Sequence, residues 1–519
     1  MATNRFFYVL ALLLLMFRAS AFEQGGIAYE VISGTDVKVV EQWPIYEGDI
    51  VIPPSVVHEG VTYQVKGIDR AAFANAAEVT SIQLPEGLVS IGAEAFKGCY
   101  GLRNIVVPNS VTEIGIRAFY ACTNLQQLTL GTGITTIPYG MCMGCLSLSA
   151  IDIPDQVVTV GSYAFNSTPI TQVTIGLGVR EIGVYAFEGC RKLTLVNVKD
   201  LAQWCNFDFY SIEFNPLYYA RQMALNGERL TSLTIPEGVE TIKPYAFANC
   251  LITEITLPQS LKTFHILGIS RANFNSLTLP DSVTAIIPQG IETPYISALR
   301  SLTIGRGVKV LAPNTFYRAN NLAQITLSEG LEELYDYVFA SLPITEIVLP
   351  NSVTTISNAF NDCTRLQSIT LGSGLKHLDH GSFSGCPKVT EIHVLVRDPW
   401  QIDLSGEGQF GDSQTVSTNK EGLDKSTCVL YVPMGSAELY RAHPFWSAFT
   451  NIEEEGLVLP GDVDGNGVVD IDDLNQIINK MINKPVSDSF IPEAADTNDD
   501  GMVDIDDVNY VINKIVRKI

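Results

Sequence analysis

Apolar residues recur along most of this chain in one repeating arrangement. In SIQLPEGLVSIGAEAFKGCYGLR, residues 81–103, Ile82 and Leu84 alternate with polar neighbours, Leu88 and Ile91 begin a second apolar stretch, and Phe96 and Cys99 close the unit. Alternation with period two predicts short strands, and Pro85 and Gly87 predict the turn between them. The arrangement is written again as NIVVPNSVTEIGIRAFYACTNLQ (104–126) and, far downstream, as EIVLPNSVTTISNAFNDCTRLQ (346–367).

One apolar position marks the register: Leu84, Val107, Leu130, Ile153, Ile175, Val198, Ile235, Leu257, Leu279, Ile304, Leu327, Leu349, Leu371 and Val394. Most steps are 22 or 23 residues; the exceptions are 25 before Ile304 and 37 before Ile235. A period of that size predicts stacked coils, each burying a face that it cannot bury alone. With parallel strands about 4.8 Å apart, about fifteen such coils make a solenoid roughly 70 Å long. The fold class is therefore mainly β, a parallel-stranded solenoid over 51–394. Its pattern, LxxIxLPxxVxxIxxxAFxxC, is similar to the BspA-like leucine-rich repeats of bacterial surface proteins. That resemblance makes 22–50 an N-terminal cap and 395–456, with CVLYVPMGSAELYRAHPFWSAF at 428–449, a closing segment.

The periodicity changes near the end. DDLNQIINKMINK (472–484) sets Leu474, Ile477, Ile478, Met481 and Ile482 on one helical face, and 506–518 repeats this with Val508, Val511, Ile512, Ile515 and Val516. Each helix follows an acidic loop, DVDGNGVVDIDD (462–473) and DTNDDGMVDIDD (496–507). Oxygen donors stand at loop positions 1, 3, 5, 9 and 12, as Asp462, Asp464, Asn466, Asp470 and Asp473, then Asp496, Asn498, Asp500, Asp504 and Asp507. Gly467 and Gly501 occupy position 6, and Val468 and Met502 offer carbonyls at position 7. This is the ligand spacing of a calcium loop. A solvated acidic turn explains the charge but not the glycines or the apolar Val469 and Val503. The entry EEEGLVLPG argues against an incoming helix, and Asp replaces the usual Glu at position 12, so neither half is an ordinary EF-hand.

Loop then helix, twice over 460–519, resembles a dockerin domain. The resemblance implies two Ca2+ ions and a cohesin-type protein partner, with the recognition positions falling on Ile471, Asp472, Ile505 and Asp506. Many dockerins carry a hydroxyl pair there, and this chain does not, which leaves the partner's identity open.

At the other end, residues 1–21 read as a secretory signal: basic Arg5, an apolar run from Phe6 to Phe17, and small residues Ala19, Ser20 and Ala21. The run is shorter than the roughly 20 residues of a membrane span. The expectation is an exported chain, held at the cell surface, with no transmembrane segment once mature. Losing Arg5 and Arg18 moves the formal net charge from -23 to -25, which disfavours nucleic acid as a partner.

Chemistry is sparse. Seven of ten cysteines (Cys99, Cys122, Cys145, Cys190, Cys250, Cys363 and Cys386) hold one repeat position, which predicts a stack of reduced, buried thiols. His377 and His380 form an HxxH pair on outward positions, with no carboxylate cluster accompanying it. There is no GxxxxGKT, GxSxG or HExxH. The chain is read as a non-catalytic binding or adhesion protein, its solenoid recognising an unknown protein or glycan. The alternative, a polysaccharide-acting enzyme or an accessory part of a degrading complex, needs two carboxylates about 5 to 10 Å apart in a cleft, and no motif marks them. Irregular coils are the place to look for ligand contacts. The insertion at 200–227 carries Trp204, Phe207, Tyr210, Tyr218 and Tyr219, rings that serve a ligand or seal the core.

Overall fold

A computed structural model describes residues 21–288, 295–404, 408–410, 422–455, 461–465, 469–487, 490–497 and 502–516. The signal reading of 1–21 thus falls almost wholly outside the described residues. The chain divides into two compact units, residues 1–255 with 267–273, and residues 256–266 with 274–519. It is mainly β, built of parallel solenoid coils with few helices.

The first unit begins with antiparallel strands Ala21–Gln24, Ile27–Ser33 and Asp36–Val39. Val61–Ile68 pairs in parallel with Asp36–Val39 and hands the register to the first coil, Gly67 opposite Ser90 and Ile68 opposite Ile91. In the coils, equivalent apolar residues lie in line: Ile151 opposite Val173, Val173 opposite Val196, and Val196 opposite Met223, each at most 2% exposed. Burying such a side chain stabilises by about 1.5–3 kcal/mol, so the coils cohere through this ladder. Phe73, Phe96 and Phe119 stack with ring centroids 5.4 and 5.2 Å apart. Beneath them Cys99, Cys122 and Cys145 each donate the thiol to a phenylalanine carbonyl of the preceding coil, those of Phe73, Phe96 and Phe119, at 2.9–3.1 Å. All ten cysteines are free and buried. Gly92 and Gly115 sit where a Cβ would run into the backbone of the preceding coil, so the stack demands glycine there.

The insertion folds as a helix Leu201–Cys205, capped by Asp200, a short helix Leu217–Ala220 and a strand Met223–Leu225. It substitutes for a coil. In regular coils the Phe N–H donates to the next coil, as Phe96 does to the Ala118 carbonyl at 2.8 Å. The equivalent acceptor, Ala246, instead receives the Trp204 indole N–H at 2.7 Å and the Asn215 amide at 3.2 Å. Gly189, whose counterpart Gly98 donates to a carbonyl, donates to the Tyr219 hydroxyl at 3.1 Å. The expectation of a ligand surface is therefore corrected at two positions. Trp204 is 0% and Phe207 3% exposed, because they fill the core where a coil is missing. Tyr210 is 82% exposed, and Tyr218 and Tyr219 are half-buried.

In the second unit Ser276–Thr278, Ser301–Ile304 and Gln324–Leu327 pair in parallel, as do Glu346–Val348, Ser368–Leu371, Glu391–Val394, Val429–Pro433 and Asn451–Glu455. Phe316, Phe339, Phe360, Phe383 and Phe410 stack at 5.2–5.7 Å. Phe410 ends the row against the fully buried Trp446 and against Phe449. A helix Ala437–Ala442 lies in this closing segment, and its Tyr440 hydroxyl donates to Val396 at 2.5 Å.

Candidate metal centre

The tail carries helices Ile471–Met481 and Ile505–Val516, with a short helix Pro492–Ala495 between them. Val463, Val469, Leu474, Ile477, Ile491, Ala494, Ala495, Val508 and Val511 form one apolar cluster. Apolar periodicity correctly places Leu474, Ile477, Val508 and Val511 inside. Met481, Ile482, Ile512 and Val516 are instead 37–61% exposed, and Ile491 with the Ala494–Ala495 pair joins the cluster.

Each helix starts immediately after its loop's ninth residue. Asp470 accepts the Asp472 N–H at 2.8 Å while its own N–H donates to Asp473 at 2.9 Å, a reciprocal cap. Asp504, Asp506 and Asp507 repeat this with both distances 2.8 Å. The twelfth residue then staples the loop's start. Asp473 Oδ1 accepts from Val463 and Asp464 N–H at 2.8 and 3.2 Å. Asp507 Oδ1 accepts from the Thr497 N–H at 2.6 Å and the Thr497 hydroxyl at 2.9 Å. Both aspartates are 0% exposed.

Asp462, Asp464 and Asp473 bring one carboxylate oxygen each to within 4.8 Å of one another. Burial pushes the Asp473 carboxyl up to about 6; the N–H groups of Asp470 and Asp464 pull it down, and the Asp464 and Asp462 carboxylates push it up again. Converging hard oxygens, two of them on buried residues, suit Ca2+, which takes six to eight such ligands and relieves their repulsion. The fit is good: Asp462, Asp464 and Asp473 would hold the ion, with a helix N-terminus already anchored beside it. In the second loop Asp496, Asp504 and Asp507 are described and Met502 is 63% exposed. Asn466, Val468, Asn498 and Asp500 lie outside the described residues.

Arg397, at the end of the coils, donates to the Asp464 carbonyl at 3.2 Å. Burial pulls its guanidinium down, and the Asp464, Asp462 and Glu454 carboxylates push it back up. Nothing in the repeat pattern singles out Arg397, and Thr497 reads as an ordinary loop residue; contact alone reveals both. Ile471 and Ile505 are 58% and 57% exposed at corresponding helix starts, and Asp472 and Asp506 beside them are also exposed. His377 is exposed, with Nδ1 3.3 Å from Asp403 Oδ2. Among the described residues, no other group of histidine, cysteine and carboxylate side chains converges as a metal site would require.

Stacked coils with a cysteine ladder, followed by paired acidic loops, define a leucine-rich-repeat solenoid carrying a calcium-loop module. The chain belongs to the BspA type leucine rich repeat family, whose region matches residues 66–194, 220–290 and 294–397 in six copies. Residues 460–516 match the dockerin type I domain, a calcium-binding module that binds cohesins. Among solved structures, a leucine-rich repeat protein from Bacteroides ovatus is 20% identical, with TM-score 0.47, over 84% of this chain and 100% of that one. A leucine rich cell surface protein from Faecalibacterium prausnitzii is 22% identical, with TM-score 0.30, over 76% of this chain and 98% of that one. The pneumococcal vaccine antigen PcpA is 15% identical, with TM-score 0.28, over 84% and 99%. No curated protein matches the sequence. No helix among the described residues is long and apolar enough to cross a membrane.

Proposed function

We propose that this is an exported, surface-held binding protein without catalytic activity, whose solenoid recognises a protein or glycan and whose tail docks it on a cohesin-type partner. The observation that carries the reading is the convergence of Asp462, Asp464 and Asp473 at the start of a helix that displays Ile471 and Asp472. Two Ca2+ ions, one per loop, order the two helix starts. Because the loops are duplicated, Ile505 with Asp506 offers a second face equivalent to the first. Tyr210, Tyr218 and Tyr219 are candidate rings of the insertion with surface left for a ligand.

The docking half is tested by passing the full chain over immobilised cohesin modules in calcium and in EDTA. Binding only in calcium supports it; absence of binding to every cohesin in calcium leaves the loops with a structural role alone.

A further inference from the structure

The outward face of the first unit's sheet carries a groove of about 720 Å3, within the size range of small-molecule sites. It lies where the strand ladder opens. Gln127–Thr129 pairs with Asn104–Val106, and Ala150–Asp152 pairs with Gln172–Thr174, yet the two strands flanking the join belong to separate sheets. Gln127, Thr129 and Asp152 stand at the exposed positions of these strands and line the groove, with Gln126 and Gln156 beside them. Among the described residues none of these five side chains has a hydrogen-bond or ionic partner.

One rim is fixed. Lys199, at the root of the insertion, reaches back across two coils to Asp155 at 2.7 Å, and Asp155 also accepts the Leu177 N–H at 3.0 Å. The pair cancels its own charge, so Asp152 is the one uncompensated charge in the lining. A carboxylate among three amides and a hydroxyl can accept from adjacent hydroxyl groups and donate back to them. The same lining repels phosphate and sulfate, as does the chain's net charge of -23. Leu128, Leu130, Ile151 and Ile153, which also line it, are nearly buried and leave little apolar surface to a ligand, and no aromatic ring is among the lining residues.

We infer that this groove binds a segment of neutral glycan, with Asp152 and Gln127 gripping vicinal hydroxyls and the Lys199–Asp155 bridge closing one side. The inference rests on the reading of the solenoid as a binding surface and names the ligand class for it.

The test applies labelled, calcium-loaded full chain to an array of neutral, acidic and sulfated oligosaccharides, beside a peptide array. The wild-type chain binds neutral oligosaccharides. The double variant Gln127→Ala, Asp152→Ala binds them about tenfold more weakly, as the loss of one or two polar contacts requires, and melts at the wild-type temperature because neither side chain has a protein partner. Unchanged binding by the variant overturns the groove while leaving the solenoid reading intact. Capture on the peptide array alone, or by acidic glycans alone, overturns the ligand class. Capture by neither array counts against the solenoid reading and takes this site with it.

Discussion

The Trp204 indole N–H donates to the Ala246 carbonyl at 2.7 Å, filling the place that a backbone N–H occupies in a regular coil. The buried Asn215 supports it, donating to Tyr245 and Ala246 and accepting from Leu217 N–H. Asn215→Ala leaves the Leu217 N–H buried without its acceptor, at a cost of about 1–3 kcal/mol, while Ala246 keeps the Trp204 indole and Tyr245 keeps the Ala248 N–H. Trp204→Phe leaves the Asn215 amide on Ala246 but opens a cavity where the indole packed, and it destabilises as well. Chemical denaturation of the two variants checks this; equal stability of both with the wild type would mean that the insertion does not act as a coil.

The thiol stack gives a pH prediction. Burial raises Cys190 and Cys250 from an ordinary value near 9 to about 11, and Cys205 and Cys428 to about 12. A raised acid group contributes stability in full below its unfolded value and loses it as pH climbs through the folded one. The solenoid should therefore weaken between about pH 9 and 11, as unfolded thiols ionise and folded ones do not. At neutral pH the native chain should resist alkylation at all ten cysteines, and denaturant should expose them together. Mass spectrometry that found Cys99, Cys122 or Cys145 bonded to one another would contradict the ladder.

Much of this was legible beforehand, because a coil's inward positions are set by neighbours identical in kind. Leu84, Val107 and Leu130 recur at one step, so the strands, the Phe row and the thiol row follow from spacing alone. The insertion was not legible in the same way: an aromatic cluster looks alike whether it meets a ligand or stands in for backbone donors. The coil turns were hidden too. Glu94, Arg117, Tyr163 and Tyr185 adopt left-handed backbone with φ of 56–59°, a conformation that favours glycine. Their neighbours impose it, for example through the Glu94 N–H to Ile116 carbonyl bond at 2.9 Å. In the tail, spacing named the acidic residues, whereas the stapling by Asp473 and Asp507 and the contact from Arg397 needed coordinates.

The proposed pair of equivalent recognition faces makes a distinct prediction. Changing Ile471 and Asp472 to Ala should leave cohesin binding within about twofold, since losing one of two equivalent faces only halves the binding orientations. Changing Ile505 and Asp506 as well should abolish it. Surface plasmon resonance decides the matter, and complete loss in the first variant would show that the two faces are unequal.

Asp473→Ala and Asp507→Ala should each weaken calcium binding and loosen the loop start, since each removes a ligand oxygen together with the acceptor for three backbone N–H groups at Asp473 and two at Asp507. Limited proteolysis in calcium should then cut the tail of the double variant while the coils persist.

Calcium should order the tail for docking, while the solenoid folds without it. Hydrogen exchange of the full chain in calcium and in EDTA measures this directly. Amides of Ile471–Met481 and Ile505–Val516 should lose protection in EDTA by a free energy of RT ln(1 + [Ca2+]/Kd), while the strands from Ser81 to Val394 exchange as before. Equal protection of the two helices with and without calcium would contradict it.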